Sequence, residues 1–227
     1  MLILRLQAPF ATFRTFTAGS FRPTARFITP SAAYGLLLNI AGIEMRYDDD
    51  KSVMTKIDSG LPECSLALAA LEFPETHSLY QQIHNYPVGS SGKERKDMAK
   101  GSKYNIIPAR RAFLSDIRAF IALKGNDELE EKVKKGLAGK IERKYGLPFL
   151  GDNNFLIDRL EIITEPEPAH WYIPLKADDE VEYNEHITRL TITIDRSEMS
   201  KTRSALFVPT KRPVKDVPPK AWVKVKY

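Results

Sequence analysis

The sequence predicts an α+β fold built on a split-βαβ body. Three observations predict it. Strand-like runs are interrupted by two helical patterns, in the order strand, helix, strand, strand, helix, strand across residues 1–163. A Gly-, Ser- and Lys-rich stretch at residues 87–103 separates two long extended segments, as a hairpin tip does. Beyond Pro166 and Pro168 the alternation resumes without a helical period.

The first strand occupies residues 1–7, where Leu2, Leu4 and Leu6 alternate with Ile3, Arg5 and Gln7. Residues 8–29 form a connection rich in Thr, Phe and Arg. No acidic residue precedes Glu44, a composition shared with organellar transit peptides. The strand period, and Pro9, Pro23 and Pro30, which forbid one continuous amphipathic helix, assign the segment to the fold instead. Pro30-Ser31 reads as a helix start with Ser31 as cap. Residues 32–41 are apolar enough for a buried helix, which Gly42 stops. Residues 46–60, with Asp48, Asp49 and Asp50, read as a loop.

The second strand covers residues 63–73, a further extended piece residues 79–86, and residues 104–123 pair back on them, so that residues 87–103 tip a long arm. Asn126 caps a second helix, whose Leu129, Val133, Leu137 and Ile141 recur every four residues. Gly136 and Gly139 weaken it by about 1 kcal/mol each relative to Ala, so a bend is expected. Tyr145-Gly146-Leu147-Pro148 ends it, and residues 155–163 supply the fourth strand. This order is the ferredoxin-like βαββαβ arrangement of RNA-recognition-motif folds. Residues 1–165 form that body and residues 166–227 a small β-rich C-terminal extension. In it Leu190, Ile192 and Ile194 share one strand face, and residues 222–227 alternate again.

Composition narrows the function. With 43% hydrophobic and 28% charged residues, the 227-residue chain has the make-up of an ordinary soluble domain. A net charge of +5 permits an anionic partner without requiring one. The single cysteine, Cys64, excludes a disulfide framework within the chain and fits a reducing, cytoplasmic compartment. No apolar run approaches the ~20 residues that span a bilayer, so no membrane partner is expected. The sequence has no phosphate-binding glycine loop, zinc signature or nucleophile elbow. Asp48, Asp49 and Asp50 are consecutive and point in different directions, which does not make a metal site. Neither a metal nor another cofactor is expected.

The opening strand at residues 2–6, then Phe13-Arg14, then Pro30-Ser31-Ala32-Ala33-Tyr34-Gly35-Leu36-Leu37 resemble the fifth core Cas family (Cas-five). The likeness is greatest to its DevS-like branch, within the repeat-associated superfamily. Arg110-Arg111-Ala112-Phe113-Leu114 resembles that family's thumb base, and Leu147-Pro148-Phe149-Leu150-Gly151-Asp152 its Pro-x-x-Leu-Gly loop. The resemblance runs in order through residues 1–163 and fades beyond. It implies a ferredoxin-like palm with a β-hairpin thumb at about residues 87–111. It also implies a non-catalytic role in a type I CRISPR surveillance complex (Cascade). There the palm and thumb hold the 5′ handle of the guide RNA (crRNA). The neighbours are an adjacent backbone subunit and the large subunit, which inspects the target's flanking motif. One branch of the family cleaves precursor guide RNA without metal, using Tyr, Lys and His. The alternative reading is therefore an endoribonuclease on the same fold, with His84 beside Tyr86 and Lys103.

The candidate RNA contacts follow from charge on this frame. Lys93, Arg95, Lys96, Lys100, Lys103, Arg110 and Arg111 crowd the arm against only Glu94 and Asp97, which suits phosphate contacts. Tyr104 is interleaved and can stack on a base. Arg110 and Arg111 point to opposite strand faces, so one of them faces RNA. Arg14, Arg22 and Arg26 precede the first helix, whose N-terminus at Ser31, in the motif that carries Tyr34, offers free N–H groups to a phosphate. Gly151 and Asn153 lie in a loop able to approach an RNA backbone closely. The competing readings are a solvated charged loop for the arm and a tight helix-to-strand turn for residues 151–154. A second basic region, from Lys201 to Lys226, faces RNA, target DNA near its flanking motif or an acidic partner; edge-protecting lysines explain it as well.

Overall fold

The computed structural model describes residues 1–15, 21–47, 56–87, 104–143, 146–176 and 184–227, with backbone alone for 83–87 and 104–107. The strands are β1 (Leu2–Ala11), β2 (Phe21–Arg22), β3 (Arg46–Tyr47), β4 (Lys56–Ile57), β5 (Cys64–Glu72), β6 (Glu75–Pro87), β7 (Tyr104–Lys124), β8 (Arg159–Ile163), β9 (His170–Pro174), β10 (Thr188–Thr193), β11 (Arg203–Pro209) and β12 (Val223–Val225). Among the described residues the α-helices are α1 (Pro30–Ile40) and α2 (Asp127–Leu137).

β7, 21 residues long, organises the sheet. Its C-terminal half lies between β1 and β5, with Leu2 opposite Leu123 and Leu66 opposite the same residue. β8 joins the far edge of β1, giving the order β5-β7-β1-β8 with every neighbour antiparallel. The N-terminal half of β7 pairs with β6 to form the arm. The change of partner is abrupt: β5 ends with Glu72 opposite Arg118, and β6 begins with Glu75 opposite Ser115. Between them Asp116 takes φ 53, a left-handed conformation that Asp tolerates better than most residues and that bends a strand. Arg118 donates to the carboxylates of both Asp116 and Glu72 (3.1 Å each), fixing the bend.

The main core fills one face of this sheet. Leu2, Leu4 and Leu6 of β1, Leu66 and Leu68 of β5, and Ile121 and Leu123 of β7 pack with Leu37 and Leu38 of α1 and Leu129 and Val133 of α2, all of them buried. The period-two reading of the first strand therefore holds, and the strand runs on to Ala11. On the opposite face Ile3, Ala67, Ala69, Phe120 and Ala122 are covered by Ala169, Trp171 and Ala221. The alanines leave room for the indole of Trp171, whose Nε1 donates to the Val214 carbonyl (3.1 Å). The C-terminal segment continues the same sheet through β9, β11 and β10, and β12 pairs with β5.

The helix boundaries depart from the sequence reading in two places. Thr29, not Ser31, is the N-cap of α1, its hydroxyl accepting from the Ala32 amide (3.1 Å). The residue before a proline is pushed to extended backbone, which is N-cap geometry, and Pro30 then opens the helix. α2 stops at Leu137, short of Ile141, because Gly139 turns left-handed (φ 69) and the amides of Gly139 and Lys140 close on Gly136 and Lys135 carbonyls. Gly42 ends α1 in the same way. Gly136 permits the crossing of α1 and α2, since a Cβ there would lie 1.9 Å from the Ile40 carbonyl oxygen. The stretch read as a loop at residues 46–60 contributes the short β3–β4 ladder, and the fourth strand is confined to Arg159–Ile163.

A second anchor holds the root of the arm. The Arg111 guanidinium pairs with Asp152, in a loop that also seats Gly151 against β1; a Cβ on Gly151 would lie 2.0 Å from the Thr12 carbonyl oxygen. The side chains of this pair are only 13% and 26% exposed. Burial pushes the Asp152 pKa up, but the Asn154 amide and the Arg111 guanidinium outweigh it and hold the carboxyl below its usual value.

Gly136→Ala is expected to destabilise by about 2–3 kcal/mol through overpacking, although Ala is the better helix former. A thermal melt should show Tm lowered by roughly 4–12 °C. Because the folded pKa of Asp152 is depressed, its stabilisation is present above the unfolded value of about 3.9 and lost as pH falls below it. Asp152→Asn should accordingly melt below the parent at neutral pH, and the gap in Tm should close as the medium is acidified through pH ~4. A gap that is constant with pH would mean that the carboxylate charge contributes nothing.

Candidate nucleic-acid interface

The connection after β1 returns along the root of the arm. β2 lies parallel to β7, with Phe21 beside Arg110 and Arg22 beside Arg111, and Arg14 bridges to Thr24. Arg14, Arg22 and Arg110 are thus brought to the same end of the sheet, all exposed. Among the described residues none of the three meets a carboxylate. Arg110 donates to the Ser78 hydroxyl through Nε (3.1 Å) and Nη2 (3.0 Å) and lies 5.9 Å over the Phe21 ring. Arg111 turns to the other face, against Asp152 and 5.4 Å over the Phe155 ring. Alternation therefore separates the pair into one solvent-facing and one anchoring arginine.

Other candidates fall elsewhere. Arg26 donates to the Glu185 carbonyl (2.8 Å) and lines a cavity of about 230 Å³ with Phe73, Thr76, Tyr172 and His186. Ser31 is buried one residue inside α1, its hydroxyl 3.1 Å from that of Thr29. Tyr34 is wholly buried, stacks on Tyr227 and donates to the Pro62 carbonyl (2.7 Å). Burial raises its pKa above the usual phenol value. Both residues belong to the first turns of a core helix, so they offer RNA no surface; the helix-start pocket is corrected on that ground. Gly151 spends its missing Cβ on the chain itself, at Thr12. Asn153 stays exposed at the loop tip beside Asp152, which accepts from the Asn154 amide (3.0 Å). Of the phenylalanines between β1 and α1, Phe13 and Phe27 are core, Phe21 is exposed, and Phe16 lies outside the described residues.

Lys93, Arg95, Lys96, Lys100 and Lys103 lie outside the described residues, as do the side chains of Tyr104, His84 and Tyr86; the Tyr104 backbone pairs with Pro87. The remaining histidines are engaged: His77 with the Ser115 hydroxyl (2.8 Å), His170 by donating from Nδ1 to the Thr210 carbonyl (2.7 Å), and His186 by stacking on Phe73 (3.6 Å). The Cys64 thiol is pushed by burial up to about 12, which disfavours a nucleophilic role. In the C-terminal basic stretch Lys224 and Lys226 both pair with Glu63, and Lys201 pairs with Glu198 (2.6 Å), while Arg203, Arg212, Lys215 and Lys220 remain exposed.

Sequence reasoning missed one group. Phe10, His77, Phe113 and Phe155 meet on the Arg111 face of the arm root, with ring centroids 5.4–6.5 Å apart. The alternation Arg111-Ala112-Phe113 carried part of the signal, since it sets Phe113 on the face of Arg111.

Comparisons with known proteins fit this architecture. A chain from a structure titled "CRISPR RNA-guided surveillance complex" superposes with a TM-score of 0.57 at 16% identity, covering 93% of this chain and 90% of that one. Another, titled "Crystal structure of Cas protein", gives 0.50 at 15% identity, covering 94% and 95%. No curated protein matches the sequence. The model of the family described as CRISPR-associated protein (Cas_Cas5) matches residues 1–214, past the point where the motif resemblance fades and into the C-terminal strands. On that match, the chain belongs to the CRISPR-associated Cas_Cas5 family.

Proposed function

We propose that this chain is a non-catalytic RNA-binding subunit of a type I CRISPR surveillance complex and that it caps the 5′ handle of the guide RNA. The observation that carries the reading is the gathering of Arg14, Arg22 and Arg110 at the arm root, exposed and without carboxylate partners among the described residues, in a chain of this family. Guanidinium groups so disposed suit phosphate oxygens, which fix position without reading sequence. The β5-β7-β1-β8 order, with α1 and α2 packed on one face, reads as a ferredoxin-like palm, and β6–β7 as its thumb. The fold shared with a chain of a CRISPR RNA-guided surveillance complex supports a place among neighbouring subunits. Arg203, Arg212, Lys215 and Lys220 are the cations we assign to a backbone or large subunit, or to target DNA beside its flanking motif. The cytoplasm is the compartment we infer, from the lone buried thiol.

Binding of a labelled repeat-derived RNA should weaken with salt. For single strands each phosphate contact contributes a slope of about 0.7 in log K against log salt. Replacing Arg14, Arg22 and Arg110 together by Ala should flatten the slope by up to about 2 while Tm changes little; an unchanged slope would remove these residues from the interface. Arg111→Ala should instead cost about 1–3 kcal/mol of stability, because it leaves Asp152 unpaired. Incubated with repeat RNA in EDTA, the chain should leave the RNA intact. Specific cleavage that disappears in His84→Ala would replace this reading with the endoribonuclease.

A further inference from the structure

The aromatic group on the Arg111 face forms a ledge. The register sets His77 of β6 opposite Phe113 of β7, and Phe10 of β1 opposite Ser115. The His77 and Phe155 rings stack on Phe113, 30° and 22° from its plane with centroids 5.4 and 6.3 Å away, so Phe113 braces the more exposed rings of His77 and Phe10. Phe10 meets Phe113 edge-on (5.5 Å) and is 45% exposed. Phe155 is held from beyond by the Arg111 guanidinium, itself fixed by Asp152. The rings are pre-set by the fold, yet Phe10 and His77 keep 45% and 43% of their surface open to solvent.

The rim of the ledge is cationic. Arg22 lies beside Arg111 at one end. At the other, Gln7 of β1 stands between Arg118 of β7 and Arg159 of β8 in one cross-strand row. Arg118 is occupied by Glu72 and Asp116, but Arg22 and Arg159 are exposed and meet no carboxylate among the described residues. Flat apolar rings flanked by unpaired guanidinium groups are complementary to a ligand that combines flat rings with anionic linkers.

We propose that this ledge is a stacking platform for one or two unpaired bases of a single-stranded RNA, whose phosphates meet Arg22 and Arg159. The proposal rests on the RNA-binding reading above and extends it to the Arg111 face of the sheet, opposite Arg110, with Arg22, in register with Arg111, shared between the two. Stacking on an aromatic ring tolerates any base, so the platform orders the strand without selecting its sequence. A protein partner would have to bring carboxylates to both arginines, whereas a nucleic acid carries anions at every step.

The test uses the full chain and a repeat-derived single-stranded RNA, intact or with one abasic nucleotide scanned along it. For the parent chain, one or two adjacent abasic positions should weaken binding roughly 5- to 150-fold. Phe113→Leu, which keeps apolar volume but loses the flat ring, should bind intact RNA weaker by a similar factor and no longer sense those positions. Phe10→Leu, at an exposed site where folding is not at issue, should show the same loss in milder form. The ledge is overturned if both variants keep the parent affinity and abasic pattern; RNA binding itself then stands. It is equally overturned if the variants bind RNA normally but no longer retain a co-purified protein subunit. If the parent chain binds no RNA at all, the ledge and the RNA-binding reading fall together.

Discussion

Everything in this chain is arranged around one hydrogen-bonded strand. β7 cannot serve both the body and the arm unless its two halves find different partners, and the β5–β6 turn supplies them within a few residues. Antiparallel ladders propagate twist along their length, so the orientation of the arm is set by the sheet and not by a loose connector. The left-handed Asp116 marks where that transmission is bent, and Arg118 locks it from the surface. Packing on the main core face and beneath Trp171 leaves residues 119–123 of β7 with no exposed surface.

Much of this was legible in the sequence, for reasons that can be named. Leu2, Leu4 and Leu6 obey strand period because only one face of β1 meets the helices. Asn126 could be read as a cap because its side-chain Oδ1 has one short-range task, accepting from the Leu129 amide (2.9 Å). Ser31 is not the cap because Pro30 itself opens the helix, two residues earlier than expected, and the cap moves with it to Thr29. Gly136 misled for a different reason: propensity sees only the helix that holds the residue, and the carbonyl that forbids a side chain belongs to α1. The ladder at β3–β4 is too short to carry a pattern.

For the candidate site the sequence located the charges but not their duties. Arg110 and Arg111 are adjacent and chemically identical, yet one donates to Ser78 at the surface and the other is spent on Asp152. Alternation showed that they part; only the position of the loop at residues 151–154 shows which is anchored. Tyr34 belongs to the motif that opens α1, and its place there is explained by packing on Tyr227, nearly two hundred residues away in sequence. The aromatic ledge escaped notice because its members come from four segments widely separated in sequence, and no local pattern joins Phe10 to Phe155.

The indole of Trp171 has a consequence for what the outer face of the sheet can accept. By occupying the alanine-lined half, it closes that half to any visitor, while Phe10 and His77 near the arm stay open. A polymer laid on this surface meets a wall partway across, so it must stop or turn away there. For the RNA strand proposed above, such geometry favours its end, or a sharp corner in it, over a segment that passes straight through.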